Sequence, residues 1–185
     1  MITSIDTKTA LVLIDLQKGI VGYPTIHPMA GVLENAAKLI AAFRKANLPV
    51  VIVNVNAAGA KWTRSRKDAR QPIGAYKDDF LEITHEIVTE PGDIFITKHT
   101  WGAFFETPLH DELQQRGITG IVMAGVATSI GVEGTARQAS ERAYNITFAA
   151  DAMTDMVATA HENSLKVIFP RIGEVGLTDE IIEKL

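Results

Sequence analysis

The chain has 185 residues, 46% of them hydrophobic and 22% charged, with a formal net charge of −4, which describes one ordinary domain, residues 1–185, long enough for a sizeable core. That acidic balance gives no electrostatic footprint for nucleic acid, and the absence of cysteine excludes disulfides, a thiolate nucleophile and Cys-ligated metal while fitting a reducing compartment. No run approaches the ~20 apolar residues that span a bilayer, and the opening MITSIDTKTA lacks the pattern of a signal peptide, so the expectation is a cytoplasmic protein with no membrane partner.

Residues 10–16, ALVLIDL, are an apolar run that reads as a buried strand with Asp15 at its carboxyl end, followed by Gln17 and a Gly- and Pro-containing loop over 19–28. The next segment, to Asn47, carries Val32, Leu33, Ala36, Leu39, Ile40 and Phe43 on one helical face, with Arg44 and Lys45 in its last turn. Residues 50–55, VVIVNV, form a second strand rich in β-branched side chains. A long polar stretch over 56–71 follows, with Trp62 and the basic cluster Lys61, Arg64, Arg66, Lys67 and Arg70. It reads as a solvated loop, or as a clamp for an anionic ligand or a neighbouring subunit.

Residues 93–97, DIFIT, are a third strand with Lys98 at its end. After Trp101 and Phe104, Thr107 and Pro108 open a helix that ends at Gly117. Residues 121–124 are a fourth strand, which crosses a turn of small residues into a helical segment. A fifth strand covers 145–149 and ends at Asp151; a helix over 157–169 is stopped by Pro170, and Thr178 caps a closing helix. Strands alternate with helices throughout, the pattern of an α/β domain with a parallel sheet. Open sheets of that kind bind ligands outside the carboxyl ends of their strands, where helix N-termini present N–H groups. Asp15, Lys98 and Gly131 all fall there.

Familiar chemistries are missing. There is no G-x-x-x-x-G-K-[ST], no G-x-G-x-x-G after a strand and no G-x-S-x-G, and the five histidines make no zinc-type pair. The expectation is therefore neither a metal nor a cofactor. Singly, Asp15, Lys98 and Gly131 each have a plain structural reading, as a turn cap, a solvated lysine and a packing glycine. Together they place an acid and a base at equivalent strand ends.

The strand LVLIDLQ with Asp15, the segment TKHTWGAFFETPLHDEL with Lys98, the stretch GVATSIGVEGTARQA and the DAM at Asp151 resemble the isochorismatase-like, or cysteine hydrolase, superfamily, over nearly the whole chain. The resemblance implies a three-layer, Rossmann-like α/β fold with a parallel sheet of five or six strands flanked by helices. It implies a triad of Asp, Lys and Cys whose first two members match Asp15 and Lys98. It implies a cis peptide at Val126–Ala127, with an oxyanion site built from the turn that includes Ile130. Gln17, Trp101, Phe104 and Thr128 are the expected pocket residues, and a homo-oligomer is the expected assembly.

The departure lies at the nucleophile. Gly131 stands at the cysteine position, which closes the thioester route, and the Asp and two His of the nicotinamidase metal signature are replaced by NVNAAGAKW. The implied activity is hydrolysis of a small molecule by Asp15 and Lys98. The bond is either a vinyl ether, with Asp15 as general acid, or an amide or ester attacked directly by water, with Asp15 as general base. Lys98 lowers the pKa of Asp15 and burial raises it, so sequence leaves both roles open. A small-molecule-binding relative without turnover is the alternative.

Overall fold

Thr9–Ile14 (β1), Val50–Val55 (β2), Ile94–Lys98 (β3), Gly120–Val126 (β4), Asn145–Thr154 (β5) and Glu174–Gly176 (β6) form one sheet in the order β3-β2-β1-β4-β5-β6, with every neighbouring pair parallel. The structure, a computed structural model, describes residues 2–56, 58 and 77–185. Trp62 and the basic cluster from Lys61 to Arg70 lie outside the described residues.

β1 and β4 are buried along their whole length. Strands covered on both faces read as unbroken apolar runs, which is why these two are so plain in the sequence. Alternate residues of β1 still separate: Ala10, Val12 and Ile14 pack in one apolar cluster, Leu11 and Leu13 in the other. The first cluster takes in Leu109–Gln115 (α3) and Glu133–Ser140 (α4) through Leu109, Leu113, Ala136 and Ala139. The second takes in Met29–Lys45 (α2) and Thr178–Ile182 (α6) through Leu39, Phe43 and Ile181. The result is three layers, helices on both faces of a parallel sheet.

The stripe Val32, Leu33, Ala36, Leu39, Ile40 and Phe43 is the buried face of α2, and Asn47 beyond its end has φ +56. Several elements differ from the sequence reading. A one-turn helix, Lys18–Val21 (α1), interrupts the loop after β1. β5 does not stop at Asp151 but runs on to Thr154, after a register irregularity against β4 between Met123 and Gly125. Asp151 is thus inside the strand, its carboxylate accepting from the Thr178 N–H and Oγ1, each at 2.8 Å. That contact makes Thr178 the first residue of α6 rather than its cap, a position taken by Leu177. The expected helix over 157–169 is a short α-helix, Ala158–Asn163 (α5), then a π-helical turn at Ser164–Ile168 and a 3₁₀ turn at Phe169–Arg171. Three-residue β6 has no periodicity of its own to read. α3 starts at Leu109, with Thr107 donating back to the Ala103 carbonyl.

At Gly125, φ is +122 and a Cβ would lie 2.1 Å from the carbonyl oxygen of Ile14. Only glycine permits that approach of β4 to β1, and it occurs one residue before Asp15.

Candidate active site

Asp15 follows β1 directly, with φ +54, a conformation Asp tolerates better than most residues. Its N–H donates to the Val53 carbonyl at 2.9 Å, which keeps it tied to β2. Lys98 is the last residue of β3, on the far side of β2. The two side chains reach over the carboxyl end of that strand, and Lys98 Nζ donates to Asp15 Oδ2 at 2.8 Å and to the Thr100 carbonyl at 3.2 Å. Both residues are buried, Asp15 5% and Lys98 2% exposed. Asp15 Oδ1 has no hydrogen-bond partner among the described residues. Burial pushes the Asp15 carboxyl up from 3.8 to about 6, against the opposing pull of Lys98. Of the two opposing effects that sequence left open, desolvation is the larger.

The turn beside this pair begins at a cis peptide between Val126 and Ala127. It continues as one π-helical turn, Thr128–Val132, before α4 starts at Glu133. Four sets of bonds fix it. Ser129 donates its N–H and its hydroxyl to Asp155 Oδ2, each at 2.8 Å. Thr128 Oγ1 donates to the Thr154 carbonyl at 3.1 Å and sits 2.8 Å from His161 Nδ1. Thr135 Oγ1 donates to the Gly131 carbonyl at 2.7 Å. The N–H groups of Ile130 and Val132 donate to the Ala127 carbonyl at 3.1 Å. An anion at this turn must therefore be met by N–H groups other than those of Ser129, Ile130 and Val132. Gly131 faces the acid: a Cβ there would be 3.2 Å from Asp15 Oδ2 and 2.9 Å from Ile14 Cγ2.

Above the pair is a cleft of about 170 Å³, walled by Ile20, Tyr23, Val55, Trp101, Ile130 and Met156, with Val126, Ala127 and Gly131 at the turn. The structure thus brings together Asp15, Lys98, Gly131, Val126, Ala127, Ile130 and Trp101. Three expected pocket residues are elsewhere. Gln17 is fully buried beside the cleft, its amide spanning the Val55 N–H and carbonyl and the Phe80 carbonyl. Phe104 packs in the core, stacked on Tyr144 with Arg142 over its ring. Thr128 spends its hydroxyl on Thr154 and His161. Polar type and sequence proximity suggested all three, but each has a structural partner that sequence spacing does not reveal.

Tyr23, Ile20, Met156 and the anchoring Asp155 were not anticipated. Ile20 sits on the one-turn helix Lys18–Val21 and Tyr23 and Met156 on loops, none with a periodicity to read. Asp155 had a usable signal, an acid immediately after an apolar strand, masked by the premature end assigned at Asp151. Among the described residues there is no cluster of three or more His, Asp or Glu arranged to hold a metal, and no helix is long and apolar enough to cross a membrane.

The isochorismatase domain model matches residues 9–180. Among curated proteins, the chain is 44% identical over 181 residues to the uncharacterized isochorismatase family protein YwoC of Bacillus subtilis, covering 96% of this chain and 94% of that one. Among solved structures it superposes on an isochorismatase family protein (BTH_II2229) from Burkholderia thailandensis with a TM-score of 0.93, at 35% identity, covering 100% and 99% of the two chains. It also resembles the N-carbamoylsarcosine amidase of Thermoplasma acidophilum, with a TM-score of 0.76 at 27% identity over 93% and 97%.

Proposed function

We propose that this chain, which belongs to the isochorismatase family of hydrolases, cleaves a small molecule by proton transfer through Asp15, with water adding directly and no covalent intermediate. The observation that carries the reading is one buried carboxylate. Its Oδ2 is held by Lys98 and its Oδ1 has no donor among the described residues, beside a position with no side chain to act as nucleophile.

An unpartnered buried acceptor suits the hydrogen of a water molecule. In the amide or ester reading, Oδ1 takes a proton from water as its oxygen bonds to the carbonyl carbon. The tetrahedral intermediate then collapses, and Asp15 returns the proton to the departing nitrogen or oxygen as that bond breaks. An ammonium has three donors; Asp15 and Thr100 engage two of those of Lys98, and in this reading the third serves the developing oxyanion. A carboxyl titrating at about 6 is largely ionised at neutral pH and basic enough for the task.

The raised pKa also supports the vinyl-ether reading. There, protonated Asp15 delivers its proton to the terminal carbon, water adds to the oxocarbenium ion while giving a proton back, and the hemiketal splits into ketone and alcohol. The pH dependence of kcat/KM separates the two. With Asp15 as base, activity rises with pH through about 6 and then levels; with Asp15 as acid, it falls above about 6. Asp15→Asn should lower kcat/KM at least 100-fold on any substrate found by screening small esters, amides and vinyl ethers, without a change of fold by circular dichroism. An unchanged rate would remove Asp15 from the chemistry and leave a binding protein as the better reading.

A further inference from the structure

His161, on α5, is 5% exposed and lines a cavity of its own with His27, Asn35 and Asp151, apart from the cleft above Asp15. Its Nδ1 lies 2.8 Å from Thr128 Oγ1, and that oxygen lies 3.1 Å from the Thr154 carbonyl at the end of β5. A carbonyl only accepts, so the single Thr128 hydroxyl proton belongs on the Thr154 contact; without it two bare oxygens would face each other in a buried place. Nδ1 must then supply the proton of the other contact, which makes His161 the Nδ1–H tautomer with Nε2 bare. Burial and the edge-on ring of His27, its centroid 4.9 Å away, hold the His161 pKa below the usual imidazole range, against the opposing carboxylates of Asp155 and Glu162. The ring is thus a neutral donor at pH 8. The strand end that receives this chain of bonds is itself tied down. The His27 N–H donates to Thr154 Oγ1 at 3.3 Å, and the Ile26 N–H to the Asp155 carbonyl at 2.9 Å.

We propose that His161 is a positioning residue of the site: its Nδ1–H, acting through the Thr128 hydroxyl, pins the start of the turn to the end of β5 and so holds Ala127 to Gly131 against Asp15. The inference rests on the turn bordering the reacting bond, as argued above, and adds to Asp155 a second anchor, from a different element and one residue earlier in the turn. His161 touches neither Asp15 nor the cleft wall, so it acts on the reaction only through Thr128.

Heteronuclear NMR tests this without a substrate. At pH 8 the His161 ring should show a protonated Nδ1 and a bare Nε2; the Nε2–H tautomer overturns the proposal. Amide hydrogen exchange reads the hold on the turn, because the Ile130 and Val132 N–H groups donate within it to the Ala127 carbonyl. His161→Leu should speed their exchange at least tenfold more than that of Leu13 in β1. His161→Asn, whose amide N–H takes the place of Nδ1–H, should restore protection to within threefold of the wild type. In Thr128→Val, which already lacks the hydroxyl, His161→Leu should add less than threefold. Equal loss at the turn and in β1, or an Asn variant no better than Leu, would reduce His161 to a packing residue. Should His161→Leu not fold, the tautomer and the Asn variant decide. On a substrate of the proposed class, His161→Leu should lower kcat at least tenfold and leave KM within threefold. Activity surviving in Asp15→Asn would instead defeat the proton-transfer reading, and leave the tie between His161 and the turn standing on the exchange data.

Discussion

Gly131 stands where the family resemblance implies a cysteine, and its surroundings show what a side chain would meet there. A Cβ there would crowd Ile14 Cγ2 at 2.9 Å and approach Asp15 Oδ2 at 3.2 Å. Overpacking of that kind costs about 1–3 kcal/mol, against the gain of up to ~1 kcal/mol that replacing a helical glycine by alanine usually brings. Gly131→Ala should therefore lower stability by about 1 kcal/mol in urea unfolding, and Gly131→Cys by at least as much. The new thiol, with Asp15 near enough to take its proton, should be alkylated by iodoacetamide at pH 7 faster than free cysteine, and Asp15→Ala should remove the advantage. Equal rates in a folded Gly131→Cys protein would show that the turn does not activate a nucleophile. Asp15 and Lys98 were legible in the sequence because each directly follows or ends an apolar run, and Gly131 because it lies in the turn of small residues by which the fourth strand passes into a helix. The charge state of Asp15 was not, because it depends on how deeply Lys98 and the turn bury it.

At the scale of elements, the turn Thr128–Val132 is held from β5 rather than from its own strand. Asp155 Oδ2 takes both donors of Ser129, and Oδ1 takes the Val157 N–H at 3.1 Å. Removing the carboxylate takes the acceptor from the Ser129 hydroxyl and from the part-buried N–H groups of Ser129 and Val157, where stranding a fully buried group costs ~1–3 kcal/mol. Asp155→Ala should thus destabilise the fold by about 2–3 kcal/mol in urea, and lower kcat/KM at least tenfold although Asp155 is not on the cleft wall. Ser129→Ala deletes one bond and keeps the backbone contact, so it should cost about 1 kcal/mol and leave activity within threefold. Equal effects of the two substitutions would mean that Asp155 does not position the turn. The long elements, β1, β4 and α2, were readable from periodicity because both their burial and their length repeat a pattern. The breakup of the 158–171 segment and the extension of β5 were not. They follow from partners distant in sequence, such as Glu133, which accepts from the Ser164 hydroxyl at 2.6 Å.

For the molecule as a whole, the buried acid sets a distinctive dependence of stability on pH. The native state keeps a proton on Asp15 up to about pH 6, whereas an unfolded carboxyl loses it near 3.8. Between those values the native state binds more protons, so this group makes stability fall as pH rises through the window; below it both states are protonated, and above it both are ionised. The unfolding free energy of the wild type minus that of Asp15→Asn should accordingly drop by about 2–3 kcal/mol from pH 4 to pH 7. A flat difference would show that the carboxyl is not held above its ordinary value. The strand order carries a separate consequence for synthesis. β1 is the first strand in sequence, yet it lies in the middle of the sheet, between β2 and β4. A growing polypeptide can lay β2 against one of its sides early, but the other stays an open ladder of N–H and C=O groups until β4 at Gly120–Val126 has left the ribosome. Until then the nascent chain carries a mostly apolar edge, TALVLI, that is open to pairing with another strand. That makes this stretch of synthesis the interval when chaperone protection matters most.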